Sequence, residues 1–429
     1  MAENLASIEK KVIAYLENSE PELFELTSML VQIDSQNFGG TGREQACARF
    51  VETLYRKAGL ETEYYCPDSV PGVTESELYQ PDQQTDVRPN VTGIRFGENR
   101  AECVMLAAHT DTLPAGDVSA WTRSPFSGAI EGGRVHGLGA CDDKFGIAAA
   151  FCALKALDDL GVRLKKSVAL TAYCDEEFGG GNGALAACVK YPCEAYVNLD
   201  GGNYEMWASA LGGGGFELKL RHNRSSDDFM PVYRALNAVM QELDRFGALR
   251  RAELSARPLY KGTLTAKSAF RVAEVGCVGD THSDALIRFM VYSTKSKAEI
   301  KAELAGILET VQPLLDELEI TTEGFTHFTR YFDYSETDMS HPAAARMLEC
   351  ASEAAGFPVE IKGSCLTDLS VFKGARPEAC CFNFGILRDF SLPCGAHQPN
   401  EYVDCAELSN LTRALALFLI RYCGVVDAN

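Results

Sequence analysis

The chain has 429 residues, a net charge of -20, 46% hydrophobic residues and 23% charged ones. That length exceeds one ordinary domain, so two or three compact units are expected, with enough apolar residues for a sizeable core. The acidic balance argues against phosphate-backbone partners and anionic membrane surfaces, and no apolar run is long enough to span a bilayer.

The N-terminal Met1-Ala-Glu-Asn-Leu-Ala lacks the basic start and apolar stretch of a secretory signal. Sixteen cysteines are scattered along the chain, several inside apolar runs (Cys103, Cys152, Cys174, Cys380, Cys381), with no CxxC pair at zinc-knuckle spacing. They read as small buried hydrophobes in a reducing cytosol rather than as a disulfide framework.

In chain order, helical spacing of apolar residues predicts helices over Leu5–Leu16, Glu22–Ile33 and Glu44–Ala58, the last stopped by Gly59. Residues 66–90 are rich in Pro, Asp, Gln and Ser and read as a long surface loop. Strands and helices then alternate: a strand over Cys103–Ala108, an Ala-rich helix over Phe145–Leu160, a strand over Val168–Tyr173, a short helix over Gly183–Val189 and a strand over Ala195–Leu199. This alternation implies an α/β fold, a mostly parallel sheet covered by helices.

The style changes at Leu211-Gly-Gly-Gly-Gly215, which reads as a flexible joint by composition. Beyond it the pattern is strand (Phe216–Leu220), helix (Val232–Phe246), strand (Ser268–Val275), strand (Ala285–Ser293), helix (Lys297–Leu318) and strand (Phe325–Phe332). That β-α-β-β-α-β order matches a ferredoxin-like split unit. After Asp333 a helix over Ala343–Ala355 and a strand over Ala379–Phe384 return to the first style. The expected organisation is therefore a catalytic domain (1–211 and 331–429) interrupted by a smaller α+β domain (212–330).

Chemistry-bearing residues fall at the ends of the apolar runs: His109 and Asp111, Asp142, Glu176 and Glu177, and Asp200, with His397 far downstream in Gly395-Ala-His-Gln-Pro-Asn-Glu401. Ligands bind outside the carboxyl ends of strands in open α/β sheets. A dinuclear hydrolytic site needs two imidazoles, a bridging carboxylate and a terminal carboxylate for each ion. His109 and His397 supply the imidazoles, and Asp142, in a glycine-rich turn ahead of a helix, is the bridge. Glu177 and Asp200 are the terminal carboxylates. Adjacent residues leaving a strand point in different directions, so Glu176 is left to act as general base, taking a proton from water whose pKa two metals lower towards ~7. Asp111 is assigned as acceptor of the second N–H of the His109 ring. Singly, each element has an ordinary explanation in turn chemistry or a solvated face. Jointly, and at strand ends, they point to a metal centre.

Lys144 reads as structural, and Gly179-Gly-Gly-Asn-Gly183 as the turn that lets the two glutamates approach the metals. Of the remaining histidines, His222 and His282 lie in the inserted domain, and either is a candidate to polarise a substrate carbonyl.

The segments Ala108-His-Thr-Asp-Thr112, Gly139-Ala-Cys-Asp-Asp-Lys144, Asp175-Glu-Glu-Phe-Gly179, Leu199-Asp-Gly-Gly202 and Gly395-Ala-His-Gln-Pro-Asn-Glu-Tyr-Val403 together resemble a known metallopeptidase and amidohydrolase family. It includes carboxypeptidase G, acetylornithine deacetylase, succinyl-diaminopimelate desuccinylase, aminoacylase, carnosine dipeptidases and peptidase T. The resemblance implies that His109, Asp142 and Asp200 hold one metal and that Asp142, Glu177 and His397 hold the other. It also implies Glu176 as base, a cis peptide at Asp142–Asp143, and an inserted domain that serves as lid and homodimer surface. Asp rather than Glu at position 200 places the chain nearer the aminopeptidase, dipeptidase and tripeptidase members.

Two positions depart from the family's pattern. No His stands in the expected place within 224–238, so that Gly279-Asp-Thr-His-Ser283 makes His282 the substitute, and Leu369 follows Asp368 where an Arg often binds a substrate carboxylate. The expectation is an exopeptidase acting on short peptides with two divalent metals, zinc first and cobalt or manganese as alternatives. The competing readings are an N-acyl or N-carbamoyl amino acid amidohydrolase and a non-catalytic binding protein on the same fold.

Overall fold

The computed structural model describes residues 2–222, 228–278 and 284–426. Two compact units divide the chain: Met1–Ala208 with Thr337–Lys362 and Val371–Asn429, and Ser209–Glu336 with Gly363–Ser370.

The first unit is built on one sheet. From its edge the strands run Glu61–Tyr65, Asn90–Arg95, Lys166–Tyr173, Asn99–His109, Ala195–Asn198, Cys380–Phe384 and Met206–Ala210. The four from Lys166–Tyr173 to Cys380–Phe384 are mutually parallel, and the margins are antiparallel. Along the central strand Val104, Leu106 and Ala108 enter a core shared with the helices Ala2–Asn18, Glu20–Val31, Lys144–Asp159, Pro342–Ala355 and Cys405–Cys423. Met105 and Ala107 alternate onto the opposite face and are equally buried. On that side Phe372 packs against Tyr173 and Tyr196 at ring-centroid distances of 5.8 and 5.7 Å. A strand covered on both faces must be apolar throughout, which is why Cys103–Ala108 reads as a continuous run. The carboxyl ends of the parallel strands deliver His109, the turn after Tyr173, and the turn after Asn198 to one edge of the sheet.

The edge pair Glu61–Tyr65 and Asn90–Arg95 has no counterpart in the sequence reading. Tyr64 and Tyr65 sit among charged neighbours, and Asn90–Arg95 carries Gly93 and Asn90, so neither presents a clean two-residue alternation. A three-stranded sheet of Ala129–Glu131, Arg134–His136 and Tyr402–Asp404 was equally hidden, each strand being three residues long.

The second unit has the β-α-β-β-α-β order: Gly212–His222, Met230–Ser255, Phe270–Val278, Asp284–Ser293, Lys297–Glu317 and the short strands Ile320–Thr321 and Phe325–His327. The longest strand, Gly212–His222, pairs antiparallel with Asp284–Ser293 on one side and with the two short strands on the other. The last strand is shorter than the expected Phe325–Phe332. The four glycines are not a flexible joint: Gly212–Gly215 open that strand and are buried. Gly213 has φ +140°, and a Cβ there would lie 2.0 Å from the Val291 carbonyl oxygen. At Gly214 it would lie 2.5 Å from that of Arg330. The run is a close approach of backbones, which composition alone cannot distinguish from a hinge.

Among the described residues no helix is long and apolar enough to cross a membrane, and every cysteine whose side chain is described is a free thiol.

Candidate metal centre

His109 is fully buried at the end of its strand. Its Nε2 lies 3.0 Å from Asp142 Oδ1, and its Nδ1 lies 2.9 Å from the main-chain oxygen of Asp111. Asp142 occupies the turn before the helix Lys144–Asp159, and the Asp142–Asp143 peptide bond is cis. Its second oxygen is 3.0 Å from Nε2 of His397, which is also 2.7 Å from Glu177 Oε2. The other Glu177 oxygen accepts the Leu113 N–H at 3.0 Å.

His397 comes to this place through the small sheet. Tyr402–Asp404 pairs with Arg134–His136, Gly137 N–H donates to the Glu401 carbonyl at 2.9 Å, and Cys141 N–H donates to Glu401 Oε1 at 2.9 Å. The loops carrying Asp142 and His397 are thereby laced together although Cys141 and Glu401 stand 260 residues apart. His397 itself has φ 62°, a left-handed backbone uncommon outside glycine.

The donor set suits a cation. Ligand atoms of His109, Asp142 and Glu177 all lie within 4.8 Å of one another. Burial by itself would lower the His397 pKa, but the Glu177 and Asp142 carboxylates push it up to about 11. His109 is likewise driven well above its usual range against the effect of burial, chiefly by Asp142, then by Glu176 and Asp111. Burial works against the Asp142 carboxylate, yet its hydrogen bonds to His109 and His397 hold its pKa far below the usual range. The carboxylates thus create a potential that favours positive charge, and imidazole with carboxylate is a donor set that fits zinc.

Asp200 is buried just beyond Ala195–Asn198, and Asn383 Nδ2 donates to its main-chain oxygen at 2.5 Å. It stands outside the tight group, because the His109 strand separates its strand from the one leading to Glu177. Glu176 is half-buried, with its charge felt at His109.

The carboxylate of Asp111 does not take the role expected of it. It accepts the main-chain N–H of Glu176 at 3.0 Å, that of Glu177 at 3.1 Å, and Asn37 Nδ2 at 2.8 Å. The ring nitrogen of His109 lies 3.7 Å from that carboxylate, beyond hydrogen-bond reach, and uses the carbonyl instead. Two residues on from the imidazole, the main chain curls back under the ring and the side chain points across to the next strand's exit.

The turn holding the glutamates is shaped by Asp175, at φ 70°. Its main-chain oxygen accepts Gly181 N–H at 2.6 Å, and its carboxylate accepts Asn182 N–H at 3.3 Å. A Cβ at Gly180 would stand 2.1 Å from that carboxylate, so the glycine run here serves a crowded turn rather than a phosphate. Lys144 is buried and donates to the Ile33 carbonyl at 2.7 Å, a structural contact not made to Asp142.

His282, with the rest of 279–283, lies outside the described residues. His222 is the last residue of its strand, with a buried Nδ1 that finds no hydrogen-bond partner among the described residues. His341 caps a helix through Nδ1, His136 packs on Tyr402, and His327 packs on Phe216. Sequence reasoning passed over Asn37, Glu44, Arg88, Asp175 and Glu401. Only Asp175, beside the paired glutamates, and Glu401, close after His397, carried a positional signal.

Residues 105–421 match the family described as Peptidase family M20/M25/M40. An uncharacterized metallohydrolase of Methanococcus maripaludis is 32% identical over 182 residues, 42% of this chain and 42% of its own. A succinyl-diaminopimelate desuccinylase of Methylobacterium nodulans is 44% identical over 84 residues, 19% of this chain and 21% of its own. The chain thus spans less than half the length of these curated relatives. The crystal structure of human carnosine dipeptidase 1 is similar with a TM-score of 0.70, covering 97% of this chain and 99% of its own at 11% identity, a likeness of fold. With the family match extending over well beyond half its length, the chain belongs to peptidase family M20/M25/M40, a family of metal-dependent hydrolases.

Proposed function

We propose that the chain is a two-metal exopeptidase that hydrolyses short peptides. The observation that carries this reading is the convergence of His109, Asp142, Glu177 and His397, with Glu176 beside them. His109, Asp142 and Asp200 would hold one ion, and Asp142, Glu177 and His397 the other.

Bound divalent ions, zinc first among them, supply a Lewis acid for the scissile carbonyl and lower the pKa of water. Glu176 takes the proton from the attacking water. The new bond joins that water's oxygen to the carbonyl carbon, the C–N bond breaks, and Glu176 returns the proton to the departing nitrogen. Asp111 keeps Glu176 aligned through its main-chain N–H. The second unit is assigned the part of lid and homodimer surface by resemblance, and the protein a cytosolic setting by its scattered cysteines.

The likeness to a desuccinylase keeps an N-acyl amino acid amidohydrolase as the second reading, with the same site and a different acyl pocket. Di- and tripeptides and N-acyl, N-succinyl and N-carbamoyl amino acids, offered side by side to the zinc-loaded protein, separate the two. Release of amino acids from peptides is expected. Turnover of acyl substrates alone selects the second reading, and no turnover in either panel with full metal occupancy leaves a binding protein.

A further inference from the structure

Behind the paired glutamates lies a buried charge cluster whose central arginine the proposed chemistry does not use. Arg88 is 1% exposed, and the carboxylates of Glu44, Asp111 and Asp175 around it are wholly buried. Its Nε donates to Glu44 Oε1 at 2.7 Å, and one terminal nitrogen bonds the same oxygen. The other terminal nitrogen donates to Asp175 Oδ1 at 2.8 Å and to the Gln83 carbonyl at 3.0 Å. Asp111 Oδ2 lies 4.0 Å from the guanidinium.

Asp175 and Asp111 are the two groups that shape the glutamate turn. Asp175 holds its downstream side through Asn182 and Gly181, and Asp111 receives the N–H groups of Glu176 and Glu177 themselves. Without a cation between them, two buried carboxylates repel, and the turn they hold would spread. The guanidinium reaches Glu44 with Nε and one terminal nitrogen and Asp175 and the Gln83 carbonyl with the other, a span that the single nitrogen of an ammonium does not cover.

We infer that Arg88 is a positioning residue which, by drawing Asp175 and Asp111 together, sets the Glu176–Glu177 backbone so that Glu177 faces Asp142 and His397 while Glu176 is held for proton transfer. The inference rests on the two-metal hydrolase reading.

The test compares wild type, Arg88→Met, Arg88→Lys and the double variant Arg88→Met with Glu44→Gln. Melting temperature, kcat and KM, and zinc affinity by competition with a chromogenic chelator are measured on each full chain. Arg88→Met strands both Glu44 and Asp175 and is expected to lower Tm by roughly 5–10 °C. The added Glu44→Gln restores the part of that loss due to Glu44 and leaves the part due to Asp175. In the double variant kcat nevertheless stays roughly 10–100-fold down at little-changed KM, and one of two zinc equivalents binds weaker by a similar factor. Arg88→Lys keeps the charge and recovers Tm, but only part of kcat.

A double variant with wild-type Tm, kcat and zinc affinity would show that Arg88 merely neutralises Glu44, and overturns this inference alone. A wild-type chain that binds no metal and cleaves no amide overturns both this and the function it rests on.

Discussion

The main-chain oxygen of Asp111 lies 2.9 Å from Nδ1 of His109, while the Asp111 carboxylate turns away to the N–H groups of Glu176 and Glu177. One residue thus fixes two things: its carbonyl sets the tautomer of the imidazole, leaving Nε2 towards Asp142, and its side chain holds the main chain of Glu176, the proposed base, and of Glu177. Such supporting bonds typically govern metal affinity and activity by 10–100-fold.

Asp111→Asn keeps the carbonyl and so the ring contact, but replaces one acceptor oxygen by a donor facing two N–H groups. The expected result is kcat lowered by about 10–100-fold. Zinc held by His109 is expected to bind as in wild type, measured by metal titration. Weakened binding at His109 with an unchanged rate would contradict this division of labour.

Glu176→Gln preserves size and main-chain bonds and removes the proton acceptor. Turnover should drop by roughly 10²–10⁴-fold with two metals still bound, which kinetics and metal analysis on one preparation would check. Retention of wild-type kcat would remove Glu176 from the chemistry.

His397→Ala deletes a donor that touches both Asp142 and Glu177 and leaves His109 in place. Zinc stoichiometry should fall from two towards one, read by equilibrium dialysis. Two tightly held ions in this variant would mean that His397 is no ligand.

Burial, with the Asp111 charge next and Arg88 opposing, pushes the Glu44 carboxyl up to about 7. A raised carboxyl pKa means that the folded chain binds the proton more tightly than the unfolded chain. The associated stability is full below about pH 4.5 and is lost as pH rises through about 7, a contribution on the order of 3 kcal/mol. Melting curves from pH 5 to 8 at fixed ionic strength should therefore slope less in Glu44→Gln than in wild type. Parallel slopes would place the Glu44 pKa near its ordinary value.

Gly213→Ala would drive a methyl group onto the Val291 carbonyl at φ +140°. Destabilisation on the order of 3 kcal/mol is expected in the second unit, seen as earlier proteolysis of segments between 209 and 336. A variant as resistant as wild type would mean that the two strands can separate there at little cost.

The fold was legible wherever local pattern suffices. Val104, Leu106 and Ala108 alternate with Met105 and Ala107 in a strand buried on both faces, so a bare apolar run located it, and the helix Lys297–Glu317 opens with the capping box Ser296 and Glu299. The pair Glu61–Tyr65 and Asn90–Arg95 escaped because each strand is defined by its partner across a 24-residue loop, not by its own periodicity. The glycine run misled for a related reason: what a missing Cβ makes room for lies on Val291 and Arg330, far along the chain.

The same divide runs through the site. Residue type and position at strand ends named His109, Asp142, Glu176, Glu177, Asp200 and His397, because the donors a metal accepts are few and a parallel sheet presents them at one edge. The convergence of His109, Asp142, Glu177 and His397 was decided by tertiary contacts: Glu401 clasping the Asp142 turn from 260 residues away, and Arg88 reaching Asp175 across 87. Spacing along a chain encodes periodicity and turn chemistry. Which oxygen of Asp111 meets the imidazole, and which buried acids share one guanidinium, follows only from how distant segments pack, since charge and hydrogen-bond energies depend on separation in space.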